Sequence, residues 1–325
     1  MARDLVVLPR PRSTPPNTVQ SIPAPSETAF VETFGSLLPQ VSYLHTETGR
    51  AAFYELPSSP PPAGATVTIS RVLFVHGVQT PAIGLQPLAN ALSLRFPHAK
   101  CVLVDLWGHG LTDTPFVAHN AALFHGLLEA LMLRLGWETA HLVGYSFGAS
   151  TVASFAAAKA ERVASMVLVA PAGFIHADEF DEVQRSYLRG GEGLEEQAKA
   201  WILQLLEGGE LIVPPDWKDR VDRGEVVAEA VRDWEMKNHQ GHIASVVAIF
   251  RDGGVLDNEA EFAKAARTGI EHLCILGGTD DIVSPQDLHD VGMQDIVVIP
   301  QAGHTVVRER VSEVAKLIQG FWDKL

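Results

Sequence analysis

Cysteine is scarce in this sequence, with only Cys101 and Cys274 among 325 residues. Each lies in a short apolar run, so we expect reduced core thiols and no structural disulfide. Basic clusters are also missing and the net charge is −14, which argues against nucleic acid or an anionic membrane surface as the main partner. No apolar run approaches the roughly 18 residues of a membrane-spanning helix, and the sequence has no signal-peptide core. We therefore expect a cytoplasmic protein.

The first 28 residues are rich in proline, and such a stretch cannot form a core of its own. Its prolines occur among serines and threonines. This composition predicts an extended N-terminal arm over residues 1–28, ordered only where it docks on the rest of the protein. A ligand segment for a proline-binding domain is the alternative interpretation.

From about residue 29, short apolar runs alternate with helical patterns. The runs lack strict alternation, as is typical of strands buried on both faces of a parallel sheet. The predicted strands are 41–45, 51–56, 71–75, 101–105, 140–143, 166–170, 273–276 and 296–299. The predicted helices are 85–95, 118–135, 147–159, 257–267 and 305–322. Strands that alternate with helices in this way predict a doubly wound α/β fold with a mostly parallel sheet.

The alternation stops in residues 172–256. This segment is rich in helix-forming residues, carries three tryptophans and has glycine pairs at 190–191 and 208–209, but it has no strand pattern. We predict a helical cap, or lid, inserted between two strands of a core domain. That core comprises residues 29–171 and 257–325.

Residues 144–148 read Gly-Tyr-Ser-Phe-Gly, where a predicted strand passes into a predicted helix. A serine on such a sharp turn has a strained backbone and a hydroxyl that points away from the sheet. Glycines on both sides are needed because larger residues would collide with neighbouring backbone. Ser146 is therefore the candidate nucleophile.

A serine nucleophile needs an imidazole base and a carboxylate that orients the base. His304 follows the last predicted strand, and Asp280 follows the strand before it. Because the carboxyl ends of parallel strands face one crevice, we expect Ser146, Asp280 and His304 to converge there. Asp281 is the alternative carboxylate.

This arrangement resembles the α/β-hydrolase superfamily, whose members carry these three residue types in the order Ser, Asp, His. The resemblance covers about residues 40–325. It implies an eight-stranded, mostly parallel sheet with a cap after the sixth strand. The family's Gly-x-x-Asp spacing, counted from Gly277, implies Asp280 rather than Asp281.

Two further loops support the resemblance. Residues 76–78 read His-Gly-Val, similar to the family's His-Gly-x oxyanion loop, and residues 105–110 read Asp-Leu-Trp-Gly-His-Gly, similar to its tight loop after the fourth strand. The resemblance implies an oxyanion hole formed by the backbone N–H groups of Val78 and Phe147. The hydrogen bonds of such a hole act on charge that develops only in the transition state.

Other polar residues are interpreted as structural. His76 and His109 serve the shape of their loops, and Asp105 is expected to bind backbone N–H groups of its own turn. His239 and His242 lie three residues apart without a nearby cysteine or acidic cluster, so we expect a helix surface rather than a metal site. No metal or cofactor is expected.

The aromatic residues of the cap are candidate substrate contacts, with core packing as the alternative: Trp201, Trp217, Trp234 and Phe250. They favour a medium-sized, largely apolar small molecule, because ligand sites are mostly apolar. The sequence leaves the identity of the substrate and the oligomeric state open.

The serine nucleophile limits the reactions that the resemblance implies. Epoxide hydrolases and haloalkane dehalogenases of similar architecture use aspartate at this turn. The expected activity is hydrolysis of an ester, a lactone or a related acyl bond through an acyl-enzyme. The alternatives are a C–C bond hydrolase or a lyase-type enzyme of specialised metabolism, and a ligand receptor on a hydrolase scaffold.

Overall fold

The computed structural model describes residues 5–11, 13, 20–64 and 67–325. Its strands, in chain order, are β1 (Ser21–Ile22), β2 (Val41–His45), β3 (Arg50–Glu55), β4 (Arg71–Val75), β5 (Lys100–Val104), β6 (Thr114–Pro115), β7 (Ala140–Tyr145), β8 (Val163–Val169), β9 (His272–Gly277) and β10 (Ile296–Ile299). Eight of them form one sheet in the order β10-β9-β8-β7-β4-β5-β3-β2, while β1 and β6 form a separate antiparallel pair.

The sheet is parallel from β10 to β5, and β2 and β3 add an antiparallel edge. Alternate residues of β4 pack on opposite sides of the sheet, with Leu73 and Val75 in one apolar cluster and Val72 and Phe74 in the other. Burial on both faces explains why these strands read as continuous apolar runs. The predicted doubly wound fold is confirmed.

The helices are α1 (Glu27–Phe34), α2 (Gln86–Arg95), α3 (Ala121–Arg134), α4 (Phe147–Ala158), α5 (Glu182–Arg189), α6 (Glu195–Glu207), α7 (Trp217–Asp222), α8 (Ala228–Asn238), α9 (His242–Asp252), α10 (Glu259–Ala266), α11 (Pro285–Asp290), α12 (Val306–Glu309) and α13 (Val311–Trp322). Helices α3, α4 and α10 cover one face of the sheet, and α2 and α13 cover the other. Among the described residues, no helix is both long and apolar enough to cross a membrane.

Residues 172–256, all of which the structure describes, contain the five helices α5 to α9 and no strand longer than an isolated bridge. That bridge pairs Ile175 with Leu256, so the two ends of the segment lie side by side. We call α5 to α9 the cap helices. The predicted final helix, by contrast, is interrupted at Arg310, and α1 and α11 had no counterpart in the predicted elements.

Part of the N-terminal arm docks on the cap helices. Leu8 is buried against Ala244 and Ala248 of α9. The guanidinium group of Arg10 donates to Asp252 at 2.8 Å and to the carbonyl oxygen of Leu188 at 2.9 Å. Residues 1–4, 12 and 14–19 of the predicted arm lie outside the described residues.

Buried polar side chains of the cap helices hold the loop that follows β5. Glu235 accepts a hydrogen bond from the Gly110 N–H group at 3.0 Å. His239 donates to the Thr112 carbonyl oxygen at 2.8 Å, and His242 donates to the Gly108 carbonyl oxygen at 3.0 Å. Both histidines are at most 2% exposed. The interpretation of them as a helix surface is therefore wrong, because they lie between the cap helices and the core.

The same loop is tied to the loop after β4. His76 Nε2 accepts from the Leu106 N–H group at 2.9 Å, and His109 Nε2 donates to the Val78 carbonyl oxygen at 2.5 Å. Asp105 accepts from the Leu111 N–H group of its own turn, as expected, and also from the Ala82 N–H group. Some of these side chains join the cap helices to the loop after β5, and others join that loop to the loop after β4. Together with buried His119 we call them the buried polar cluster: His76, Asp105, His109, His119, Glu235, His239 and His242.

Burial shifts the pKa of every member of this cluster. It lowers the pKa of His119 to about 3 and that of His239 to about 4, and it also lowers the pKa values of the other three histidines. It raises the pKa of Asp105 to about 6 and that of Glu235 well above its usual range. The cluster thus favours neutral imidazoles in the folded state.

We expect the protein to lose stability as the pH falls below about 6.5. In this range the histidines of the unfolded chain bind protons, while the buried histidines of the folded protein stay neutral. The two carboxyl groups act in the opposite direction, because their raised pKa values favour folding on acidification. Five histidines with lowered pKa values outnumber two carboxyl groups with raised ones, so the free energy of unfolding should rise with pH between about pH 5 and 6.5.

Urea denaturation at a series of pH values measures this slope. His239→Gln should reduce it, since one proton-linked group is removed, whereas the same change at exposed His45 should not. A stability that is independent of pH in this range would contradict the expectation.

Candidate active site

Ser146 lies on the turn between β7 and α4, with φ 54° and ψ −119°. This positive φ is uncommon for a residue with a side chain and has to be held by its surroundings. Gly148 shows how closely they pack, because a Cβ atom there would lie 2.1 Å from the carbonyl oxygen of Val75. The first turn of α4 therefore rests directly on the end of β4, and only glycine fits at residue 148.

Ser146, His304 and Asp280 form one hydrogen-bonded chain. The Ser146 hydroxyl lies 2.8 Å from His304 Nε2, and His304 Nδ1 lies 3.0 Å from Asp280 Oδ2. Because a carboxylate accepts, the Nδ1 atom carries the proton and Nε2 is free to accept from the serine. The Asp280 carboxylate is fully buried and its other oxygen accepts from the Ile282 N–H group at 3.0 Å. Asp281 is exposed and makes no hydrogen bond to His304.

The loops that carry His304 and Asp280 touch through their backbones. A Cβ atom on Gly277, the last residue of β9, would lie 2.3 Å from the Gly303 carbonyl oxygen. The side chain of Thr279 also donates to the Ala302 carbonyl oxygen at 2.9 Å. This close approach places the side chains of His304 and Asp280 next to each other, and the glycine at residue 277 is its sequence signal.

The two residues whose backbone N–H groups are the expected oxyanion donors, Val78 and Phe147, belong to the surroundings of Ser146. Val78 follows β4 and borders the same cavity as the serine, and Phe147 is the first residue of α4. Within the described part of the chain, neither N–H group has a hydrogen-bond acceptor. Two unpaired donors beside a nucleophile can stabilise a developing oxyanion.

A cavity of about 490 Å³ opens above Ser146 and His304. Its walls come from the core loops and from the ends of α6 and α9. The apolar part of the wall consists of Val78, Ala172, Ile175, Leu205, Leu206, Phe250, Val255 and Ile282. The polar part includes Gln79, Glu207, Arg232, Asp281 and Arg308.

Of the four aromatic cap residues suggested as substrate contacts, Phe250 borders this cavity. Trp201 lies one layer behind it, with its ring centroid 6.0 Å from that of Phe250. Trp217 and Trp234 do not border the cavity, so the prediction that they contact the substrate is wrong. Their rings pack instead on Phe34 of α1 at 6.2 and 5.9 Å, because the apolar face of α1 covers them.

The charged wall of the cavity was missed in the sequence. The sequence gives a weak indication that Arg308 lies near the site, since it follows His304 by about one helical turn. It gives no such indication for Glu207 and Arg232, because cap packing alone determines which side of α6 and α8 meets the cavity. Burial raises the pKa of the Glu207 carboxyl group.

A family model described as "Alpha/beta hydrolase family" matches residues 72–317. The chain belongs to the alpha/beta hydrolase family. The predicted resemblance is therefore confirmed, and the match covers both halves of the core together with the cap helices.

The chain is similar to several curated proteins. It is 27% identical over 257 residues to the dihydrolipoyllysine-residue acetyltransferase component of the acetoin cleaving system of Cupriavidus necator, covering 76% of this chain and 62% of that protein. It is 31% identical over 145 residues to 2-(acetamidomethylene)succinate hydrolase of Mesorhizobium japonicum, covering 45% of this chain and 50% of that protein. The chain thus matches less than two thirds of the length of either relative.

Among solved structures, the enol-lactonase of Burkholderia xenovorans LB400 superposes with a TM-score of 0.62 at 19% identity. The superposition covers 86% of this chain and 99% of the lactonase chain. At this level of identity the likeness concerns the fold.

Gly148→Ala tests the close packing that holds Ser146. We expect it to destabilise the protein by about 3 kcal/mol or more, because the added methyl group meets backbone that cannot move aside. The measurement is the free energy of unfolding in urea.

Gly126→Ala is the matched control. Gly126 lies inside α3 with no atom within 4 Å of its Cβ position, so alanine there should stabilise the protein by about 0.5–1 kcal/mol. Equal effects of the two substitutions would contradict the packing argument.

Proposed function

We propose that the protein is a serine hydrolase that cleaves an ester, a lactone or a related acyl bond of a medium-sized small molecule. Ser146 is the nucleophile, His304 is the general base and acid, and Asp280 orients the imidazole. The N–H groups of Val78 and Phe147 form the oxyanion hole. The reaction passes through an acyl-enzyme.

The observation that carries this proposal is the hydrogen-bonded chain from Ser146 to Asp280 at the base of a cavity. The hydroxyl faces a free imidazole nitrogen at 2.8 Å, which is the distance at which a base accepts a proton. The N–H groups of Val78 and Phe147 have no hydrogen-bond acceptor in the described part of the chain. We infer that these two donors act with Ser146 and His304 on one carbonyl group of the substrate.

Ser146 Oγ attacks the carbonyl carbon while its proton passes to His304 Nε2. The carbonyl oxygen becomes an oxyanion and is held by Val78 and Phe147. His304 then returns the proton to the departing oxygen, which leaves an ester between Ser146 and the acyl group. Water, activated by the same imidazole, attacks this ester and restores the serine. Asp280 stays ionised and stabilises the imidazolium that forms in both halves.

The relatives support acyl chemistry by their names, which describe an acetyltransferase component, a hydrolase and a lactonase. The apolar wall of the cavity, with Phe250 and Leu206, suits the carbon chain of an acyl substrate. The cap helices close the other side of the cavity and limit the size of the molecule that enters.

The test uses p-nitrophenyl acyl esters of several chain lengths together with a fluorophosphonate probe that labels reactive serines. We expect ester turnover and labelling of Ser146. Ser146→Ala should lower kcat roughly 10⁴-fold or more, because the nucleophile and the serine–imidazole pair are lost together.

Ser150→Ala is the matched control. Ser150 lies on the same helix, and its hydroxyl donates to the Gly254 carbonyl oxygen at 2.6 Å, so it should not be labelled. No turnover and no labelling of Ser146 would sink the proposal and favour a ligand receptor. Labelling without turnover of any ester would favour C–C bond hydrolysis or lyase-type chemistry instead.

A second prediction separates the two neighbouring aspartates. Asp280→Asn should lower kcat for the same esters about 10³–10⁴-fold, because the amide no longer holds the proton on His304 Nδ1. Asp281→Asn should cost at most about tenfold, since its side chain does not touch the imidazole. Steady-state kinetics of both variants measures this difference, and an equal or larger loss at Asp281 would contradict the assignment.

A further inference from the structure

The cavity above Ser146 carries charged side chains that acyl cleavage itself does not use. Arg232 and Glu207 come from the cap helices, Arg308 comes from α12, and Asp281 comes from the loop after β9. Two cations and two anions thus line one wall. Their individual contacts decide which of them is available to a ligand.

Glu207 is already satisfied. Its Oε1 atom accepts a hydrogen bond from Gln79 Nε2 at 2.6 Å, and Arg232 Nε lies 3.3 Å from the same oxygen. The side chains of Glu207 and Arg232 are only 10% and 14% exposed. A buried pair of this kind cancels its own charge, so Arg232 is largely neutralised by Glu207.

Arg308 is different. In the described part of the chain, no carboxylate lies within 4.0 Å of its guanidinium group. The group lies over the ring of Tyr145, 5.5 Å from the ring centroid, and that ring in turn lies 5.5 Å from the ring of His304. A half-buried, unpaired arginine is therefore held against Tyr145, which packs on the proposed catalytic base, and it borders the cavity.

We propose that Arg308 binds a carboxylate group of the substrate, so that the substrate class is a small ester or lactone with one anionic end. This inference rests on the proposed function of the same site. A planar guanidinium group matches the two oxygens of a carboxylate and binds them through parallel hydrogen bonds. The apolar wall beside Ser146 receives the carbon chain between the reacting carbonyl and the carboxylate.

The other charges of the wall favour a monoanion. Glu207 and Asp281 both border the cavity, and they would repel a dianionic phosphate group more strongly than a carboxylate. Substitutions of Asp281 and Arg308 should therefore have opposite effects. Loss of the Asp281 carboxylate should favour anionic substrates, whereas loss of the Arg308 guanidinium group should disfavour them.

Esters of matched shape measure this preference. p-Nitrophenyl hydrogen adipate and p-nitrophenyl hexanoate have acyl chains of equal length, one ending in a carboxylate and the other in a methyl group. 4-Carboxyphenyl hexanoate and its methyl ester place the same difference on the leaving group. The ratio of kcat/KM between the anionic and the neutral ester of each pair shows which end of the substrate meets Arg308.

We expect Arg308→Met to lower this ratio about 10- to 100-fold for one of the two pairs, mainly through KM, because a charge-assisted hydrogen-bonded pair is lost. Arg308→Lys should retain part of the preference, since it keeps the charge but not the planar geometry. Asp281→Asn should raise the ratio by roughly two- to fivefold. Arg134→Met, an exposed arginine of α3 outside the cavity, serves as the control and should not change it.

A binding experiment keeps this inference separate from the proposed reaction. Calorimetric titration of monomethyl adipate into the Ser146→Ala protein needs no turnover, and addition of Arg308→Met should weaken binding by about tenfold or more. Ratios and affinities that do not change with Arg308→Met would overturn the carboxylate site even if ester hydrolysis is observed. If the fluorophosphonate probe does not label Ser146 of the unsubstituted protein, but monomethyl adipate binds in a way that depends on Arg308, only the proposed reaction is overturned.

Discussion

The contact between Gly148 and the end of β4 is the constraint on which the site depends. The missing side chain at residue 148 lets the first turn of α4 rest on the Val75 carbonyl oxygen. This contact holds Ser146 at a positive φ and leaves the Phe147 N–H group unpaired beside it. Val78 follows β4 by only a short loop and borders the same cavity as Ser146. One close approach between a helix and a strand thus positions the proposed nucleophile beside the residues proposed as oxyanion donors.

The cap helices are joined to this site by buried polar contacts rather than by apolar packing alone. Glu235 holds the loop after β5 through Gly110, and His109 of that loop holds the Val78 carbonyl oxygen. A movement of α8 is therefore linked to the position of Val78, a proposed oxyanion donor, through two hydrogen bonds. On the cavity side, α6 and α8 contribute Glu207 and Arg232 as a nearly neutral pair, which is why we propose Arg308 as the charge that acts on a ligand.

Much of the fold and the centre of the site followed from local patterns. Every strand of the main sheet lies within a few residues of its predicted position. The central strands are buried on both faces and read as plain apolar runs, whereas the edge strands β2 and β10 are only partly buried. Ser146, Asp280 and His304 each follow the carboxyl end of a strand, so their meeting at one edge of the sheet was predictable.

The wrong predictions concern residues whose surface is covered by another helix or loop. His239 and His242 have the pattern of a helix surface, yet they face the loop after β5. Trp217 and Trp234 pack on α1, which lies nearly two hundred residues away in sequence.

The sequence by itself determined the doubly wound sheet, the turn at Ser146 and the residue types of the chain from Ser146 to Asp280. These depend on strand periodicity, on glycines and on the order of strand ends, all of which are local. The spacing from Gly277 already favoured Asp280 over Asp281, and the tertiary structure shows the contact of Asp280 with His304, which the backbone approach at Gly277 makes possible. Only the tertiary structure decided which cap residues meet the cavity and that Arg308 remains unpaired there. Such choices arise from distant elements packing together, and no local pattern encodes the face that each one buries.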